Sequence, residues 1–362
     1  MSHPLPPEIF DLIIDCLCNE PATLKACCLV SKSWVPRTRK HLFASVYLHI
    51  CRSTIRLWMK AFPDPSNSPA HYTRHLWISE QLAAESTWIR FFCRVERLTV
   101  HAFDWDETVE APLVRLHGLS PTLKYLHLVH YSIPLSDILD LVCSFPLLED
   151  LTLRCEGSER DRDGWVAPST SPKFTGTLFL MDEIRSAARG LLALPGGLHF
   201  TNVVLLCPIE HAESAMDLVS RCSDTLESLC INYYPPRSSE MPPPLDLSRA
   251  AKLKHVEFRF EMPDVQWIVA TLETAETNTL QQITLFSSVP FDTVEEVIRM
   301  EWQNLDHLLA RLWTAHSIVP ELKYTPTLEM ELVDLGEAAP GLLPKLVNMG
   351  VVCEAGDYWQ SL

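Results

Sequence analysis

The sequence predicts an α/β fold: a three-helix N-terminal segment over residues 1–47, then a solenoid of sequential parallel strands with a C-terminal helical cap over residues 48–362. Two observations carry this. Apolar residues recur at helical spacing near the N-terminus, and a short strand pattern then repeats about every twenty-six residues.

The first segment opens Leu5-Pro6-Pro7-Glu8-Ile9. Ile9, Leu12, Ile13, Cys16 and Leu17 then fall at i, i+3, i+4, i+7 and i+8, which gives one helix an apolar stripe. Pro6 and Pro7 suit a first helical turn, and Glu8 suits the positive end of the helix dipole. Pro21 marks a break before a second helix carrying Leu24, Cys27 and Cys28. A third helix starts near Ser33, with Pro36 in its first turn, where a missing N–H costs little. A segment of about forty residues buries too little surface to be stable alone, so its apolar faces need a partner. That partner is either the rest of this chain or another protein.

The opening Leu5-Pro6-Pro7-Glu8-Ile9, the run Leu29-Val30-Ser31-Lys32-Ser33-Trp34 and the closing Leu42-Phe43 resemble an F-box. The style of the segment is similar to the F-box families of mushroom-forming fungi. The resemblance covers residues 5–43 and is much looser beyond. It implies docking onto the Skp adaptor of a cullin–RING ubiquitin ligase. The positions matching the motif are Leu5, Pro6, Ile9, Ile13, Leu17, Leu24, Val30 and Trp34, and these are the expected adaptor-binding residues. The plainer reading is a helical cap on a larger domain.

Beyond this segment the pattern apolar-x-x-apolar-x-apolar recurs. Clear copies centre on Leu98, Leu126, Leu151, Val203, Leu229, Val256 and Ile283, and weaker ones on Leu76 and Leu178. This period and signature resemble leucine-rich repeats, in which each unit is a strand followed by a helical or irregular return. Helical returns read at Ser136–Phe145, Glu210–Cys222 and Val265–Thr274. The asparagine that ladders the turns of regular repeats is mostly missing, and Asn232 alone lies near its place. An ordinary α/β domain is the rival architecture.

Two polar loops interrupt the array, Glu156–Lys173 and the proline-rich Tyr234–Leu245, and Asp64–Pro69 is a shorter turn. After Ile283 the period breaks. Val294–Ala315 reads as a long helix or a pair, Leu322–Tyr324 as a strand, Gly341–Met349 as a helix and Val351–Val352 as a closing strand. Helices at the ends would cap the stack.

Alternation within each strand turns some side chains away from the core, toward the concave face of a solenoid. Trp77, His101, His127, Arg154, Arg259 and Phe286 fall there, and aromatic and Arg side chains suit a protein interface. They are the expected target-binding residues. Asp104, Asp106, Glu107 and Glu110 form an acidic cluster, read as a solvated loop.

Composition narrows the classes. With 47% hydrophobic and 21% charged residues the chain is globular. A net charge of −16 disfavours nucleic acid and anionic membranes as partners. No apolar run is long enough for a membrane span, and the N-terminus lacks a signal-peptide layout, so cytoplasm or nucleus, or both, is expected. The twelve cysteines include no C-x-x-C pair and read as small buried hydrophobes, with no metal or other cofactor expected. No phosphate loop, nucleophile elbow or zinc-protease helix is present, so no enzymatic activity is expected. The functional expectation is the substrate receptor of a Skp–cullin–F-box ligase. The alternative is an adaptor-bound scaffold that delivers nothing for degradation.

Overall fold

The computed structural model describes residues 6–48, 52–79, 91–101, 116–119, 121–130, 134–155, 166–182, 184–234, 243–260, 265–275, 279–287, 296–324, 343–351 and 353–355. The chain divides into two compact units, Met1–Lys173 and Phe174–Leu362. Leu5, the acidic cluster at 104–110 and residues 156–165 and 235–242 of the two loops lie outside the described residues.

The first unit begins with helices α1 (Pro7–Cys16), α2 (Pro21–Val30) and α3 (Val35–Leu42). Each has proline in its first two positions, where no intrahelical N–H bond is lost. Ile14, Leu24, Cys27 and Thr38 form their small shared core. The Trp34 ring lies 5.3 Å from that of Phe10. Asp15 of α1 ties down α3. It accepts hydrogen bonds from Arg37 Nε at 2.6 Å, from Arg37 Nη2, and from His41 Nε2 at 2.7 Å. The Arg37 guanidinium, with His41, holds this carboxyl far below the usual carboxylate range.

Strand β1 (Ser45–Leu48) and helix α4 (Arg52–Ala61) follow. Two short 3₁₀ turns, Pro65–Asn67 and Pro69–Tyr72, are capped by the side chains of Asp64 and Ser68. Then come β2 (His75–Ser79), β3 (Arg97–His101), β4 (Tyr125–His130), α5 (Leu135–Cys143) and β5 (Asp150–Cys155). The five strands pair in parallel and in chain order, with Val46, Leu76, Leu98, Leu126 and Leu151 in register. All five side chains are buried.

The second unit repeats the scheme. Its strands are β6 (Thr177–Asp182), β7 (Asn202–Pro208), β8 (Ser228–Tyr234), β9 (His255–Phe260), β10 (Gln282–Ser287), β11 (Val319–Tyr324) and β12 (Cys353–Ala355). Helix α6 (Ile184–Leu192) follows β6, α7 (Ala212–Cys222) follows β7, α8 (Val265–Thr274) follows β9, and α9 (Glu296–His316) follows β10. A last helix, α10 (Pro344–Asn348), precedes β12. Leu178, Val203, Leu229, Val256 and Ile283 stand in register and are all buried. Within each unit the strands are therefore sequential and parallel, and the expected repeat centres, four in the first unit and five in the second, stand in one buried row per unit.

The repeats hold together without an asparagine ladder. Two residues before eight of the row positions, one carbonyl accepts two N–H groups from the next repeat. Ala44, Arg74, Glu96 and Lys124 do this in the first unit, and Gly176, Thr201, Glu227 and Lys254 in the second, at 2.7–3.2 Å. Side chains at the same position pair with alternating sign: Arg74–Glu96 at 2.7 Å, Lys124–Glu149 at 2.9 Å and Glu227–Lys254 at 2.7 Å. These pairs are exposed and worth about 0–1 kcal/mol each, so they favour register more than they add stability. Thr122 and Thr225 add hydroxyl bonds to the carbonyls of Val95 and Phe200 in the preceding repeat.

Some expectations shift. A boundary at residue 47 would cut β1, which pairs with β2 and is part of the sheet. The division into two compact units falls in the chain between Lys173 and Phe174. Helix α9 is one helix and not a pair. Its buried Asp306 caps α10, accepting from the N–H groups of Lys345 and Leu346 at 2.9 Å each. The closing strand lies at Cys353–Ala355, just past Val351–Val352. The weak repeat at Leu178 has an exposed Thr175 at its first apolar position, and the preceding Phe174 fills that place, its ring 4.9 Å from Phe200. Of the nine described cysteines only Cys27, Cys207, Cys222 and Cys230 are buried, and burial pushes the Cys222 thiol up to about 11; Cys28 and Cys143 are half-buried, and Cys16, Cys18 and Cys93 are exposed, so the reading of the cysteines as small buried hydrophobes holds for fewer than half of them.

Candidate functional site

Two surfaces concentrate the chemistry. The first lies on α1 and the end of α2. The inward side of α1 is built by Ile14, with Phe10 and Leu17 half-buried. Its other side carries Ile9, Leu12 and Ile13, and the end of α2 carries Leu29 and Val30. These five side chains are 40–88% exposed. Nine large hydrophobic side chains are exposed among the described residues, and five of them fall in this stretch of 22 residues. Scattered exposed apolar residues need no explanation, but such a concentration within one short segment, with three of the five on α1, points to a contact surface there.

Of the expected adaptor-binding residues, Pro6, Ile9, Ile13 and Val30 are exposed, and Leu17 and Trp34 are half-buried. Leu5 is outside the described residues. Leu24 is 1% exposed and belongs to the helical core, so it has no surface to offer a partner. Its position in the motif is therefore structural. Leu12 and Leu29 were not among the expected contacts, although Leu12 shares the stripe of Ile9 and Ile13 and Leu29 adjoins Val30.

The second surface is the sheet face turned away from the core row in the first unit. Tyr47, Trp77 and His127 share one register row across β1, β2 and β4, and His101, two residues along β3 from Thr99 in that row, makes the ring path a zigzag. Tyr47 and Trp77 have centroids 5.2 Å apart, Trp77 stacks on His101 at 5.7 Å, and His101 lies 6.2 Å from His127. Tyr47 is 59% exposed, and the other three are half-buried. Arg154 is half-buried on the same face of β5. Tyr47 was not foreseen. Its signal was a further copy of the repeat, Phe43-x-x-Val46-x-Leu48, hidden at the edge of the helical motif.

Burial, with the neighbouring His101 in support, lowers the His127 pKa to about 4. Above the usual value near 6.5 the ring is neutral folded or unfolded; between about 6.5 and 4 only the unfolded chain takes the proton, so stability falls as pH drops through that window. Urea midpoints of the wild type should therefore decline between pH 7 and pH 4.5. His127→Phe should show a shallower decline. Parallel pH profiles for the two proteins would refute a buried neutral histidine.

In the second unit, Arg259 and Phe286 do not form an exposed site. Both are 2% exposed. Arg259 Nε donates to Glu257 Oε1 at 2.5 Å, and its guanidinium lies 5.6 Å from the Phe286 ring centroid. They stand in one register row with Met181, Leu206 and Asn232, all buried. That row is packed interior despite facing away from the central core row. Among the described residues no helix is long and apolar enough to cross a membrane. Comparison with models of known protein families and with curated proteins finds no match.

Proposed function

We propose that this chain is the substrate-recognition subunit of a Skp–cullin–F-box ubiquitin ligase, acting in the cytoplasm or nucleus. The three N-terminal helices dock the adaptor, and the repeats hold a target protein. The observation that carries the reading is the exposure of apolar side chains, Ile9, Leu12 and Ile13 on α1 and Leu29 and Val30 at the end of α2, in a helical segment of F-box-like sequence. A segment that exposes the stripe it could have buried is built to be covered by something else. The chain performs no chemistry in this scheme. It raises the effective concentration of target lysines near the conjugating enzyme.

The test is capture of a purified Skp-type adaptor. Ile9→Asp with Ile13→Asp should weaken capture about a hundredfold or more, because each large side chain buried at an interface contributes about 1.5–3 kcal/mol. Both positions are exposed, so folding should survive. Trp34 is a poorer choice, since its ring packs on Phe10. Equal capture by wild type and the double variant would exclude this surface. Recovery of the cullin, with a target that accumulates when the gene is removed, separates a ligase receptor from a scaffold.

A further inference from the structure

We propose that the ring row on the first unit's sheet face binds an extended proline-rich segment of the target. This rests on the reading of that face as the target surface.

The row offers π faces and hydrogen-bond donors. Among the described residues, neither the Trp77 indole N–H nor the Tyr47 hydroxyl has a partner. On β1 to β4, the described outward residues at and beyond the row are Tyr47, Trp77, Thr99, His101, His127 and Val129. None is a carboxylate, a carboxamide, a lysine or an arginine. Among the described residues of the face, formal charge stands at the margins: Arg97, engaged over the Tyr125 ring at 4.4 Å, and Asp150 and Arg154 on β5. His127, kept neutral by burial, adds no charge to the face.

A fitting ligand is therefore uncharged, offers flat or ring-shaped apolar groups, and brings acceptors for the donors. A polyproline II segment meets all three conditions. Its prolyl rings stack on aromatic side chains, its carbonyls carry no internal hydrogen bonds, and proline has no N–H that would need an acceptor from the face. Tyr47, Trp77 and His127 share a register row that spans three strand spacings, about 14–15 Å, which matches about one and a half turns of such a helix at about 9 Å per turn. Being pre-extended, the segment loses little conformational entropy on docking. A neutral sugar chain also stacks on Trp and Tyr, but its many hydroxyl donors need carboxylate or amide acceptors, which these positions lack.

The experiment is fluorescence anisotropy on the full chain with three labelled probes: decaproline, a Gly-Ser decapeptide and a neutral glucose hexasaccharide. Decaproline should bind saturably and the other two should not. Trp77→Ala should weaken decaproline at least about tenfold, as truncation of an anchoring aromatic does. Tyr47→Ala, at an exposed position where folding is not at stake, should weaken it about threefold or more. Absence of saturation up to about 1 mM decaproline, equal binding of the Gly-Ser probe, preference for the hexasaccharide, or wild-type binding by both variants would each overturn the proposal. Adaptor capture through Ile9 and Ile13 is measured on the same protein. Its success alongside a failed peptide titration would remove the ligand assignment and leave the ligase reading standing.

Discussion

Leu229→Asp is expected to unfold the second unit. Leu229 is fully buried on β8, in register between Val203 of β7 and Val256 of β9. An aspartate there would lie in a row of aliphatic side chains with no cation or donor to pair it. The side chain would have to protonate or drag water into the core, and the cost is on the order of 4–5 kcal/mol or more. That is a large share of the roughly 5–15 kcal/mol that holds a domain folded. In a stacked array the loss also spreads, because each repeat is stabilised by the interface with its neighbours. Leu229→Ala should cost less, about 2–5 kcal/mol, since it leaves a cavity and no charge. Glu227→Ala, two residues earlier on an exposed rung, should cost at most about 1 kcal/mol. Thermal melts by circular dichroism would rank the three, with proteolysis inside 174–362 rising in the same order. If Leu229→Asp melts within a degree or two of wild type, the central residues are not the core.

The row containing Leu229 was legible in the sequence because two independent periods agree on it. Alternation fixes which side chains of a strand share a face, and the repeat of about twenty-six residues fixes which strands stand side by side. Val203, Leu229 and Val256 satisfy both conditions. Helix α8 was legible to the residue, since Trp267, Ile268 and Leu272 are large and regularly spaced. Helix α6 was missed because Ala187 and Ala188 supply much of its buried face and read as weakly apolar. Phe174 was missed because the repeat slips there by one residue.

The candidate sites were less legible, for a physical reason. Sequence spacing shows which way a side chain points and not what lies over it. Ile9 and Leu24 both fit the helical motif, yet one is exposed and the other is core. Trp77 and Arg259 both point away from the central row, yet one borders solvent and the other is interior. A signal existed in the second case. Arg259 shares its register row with Met181 and Leu206, and apolar residues in successive repeats at one position point to a buried row.

That burial changes what a charge reversal at Arg259 should do. On an exposed face, Arg259→Glu would remove a contact and leave the fold intact. Here the guanidinium is enclosed, paired with Glu257 and set against Phe286. Reversal would place two carboxylates side by side on β9, one of them fully desolvated. Breaking a buried pair from one side costs about 3–5 kcal/mol, and like-charge repulsion adds to it. For a unit of this size the melting temperature should fall by about 10 °C or more. Arg259→Met keeps an unbranched side chain and introduces no second charge. Glu257 remains partly exposed and can turn to water, so this variant should lose distinctly less. Arg154→Glu, at a half-buried position on β5, should be milder still. If Arg259→Glu melts like wild type while target capture disappears, Arg259 is a contact residue and its enclosure is not a feature of the folded protein in solution.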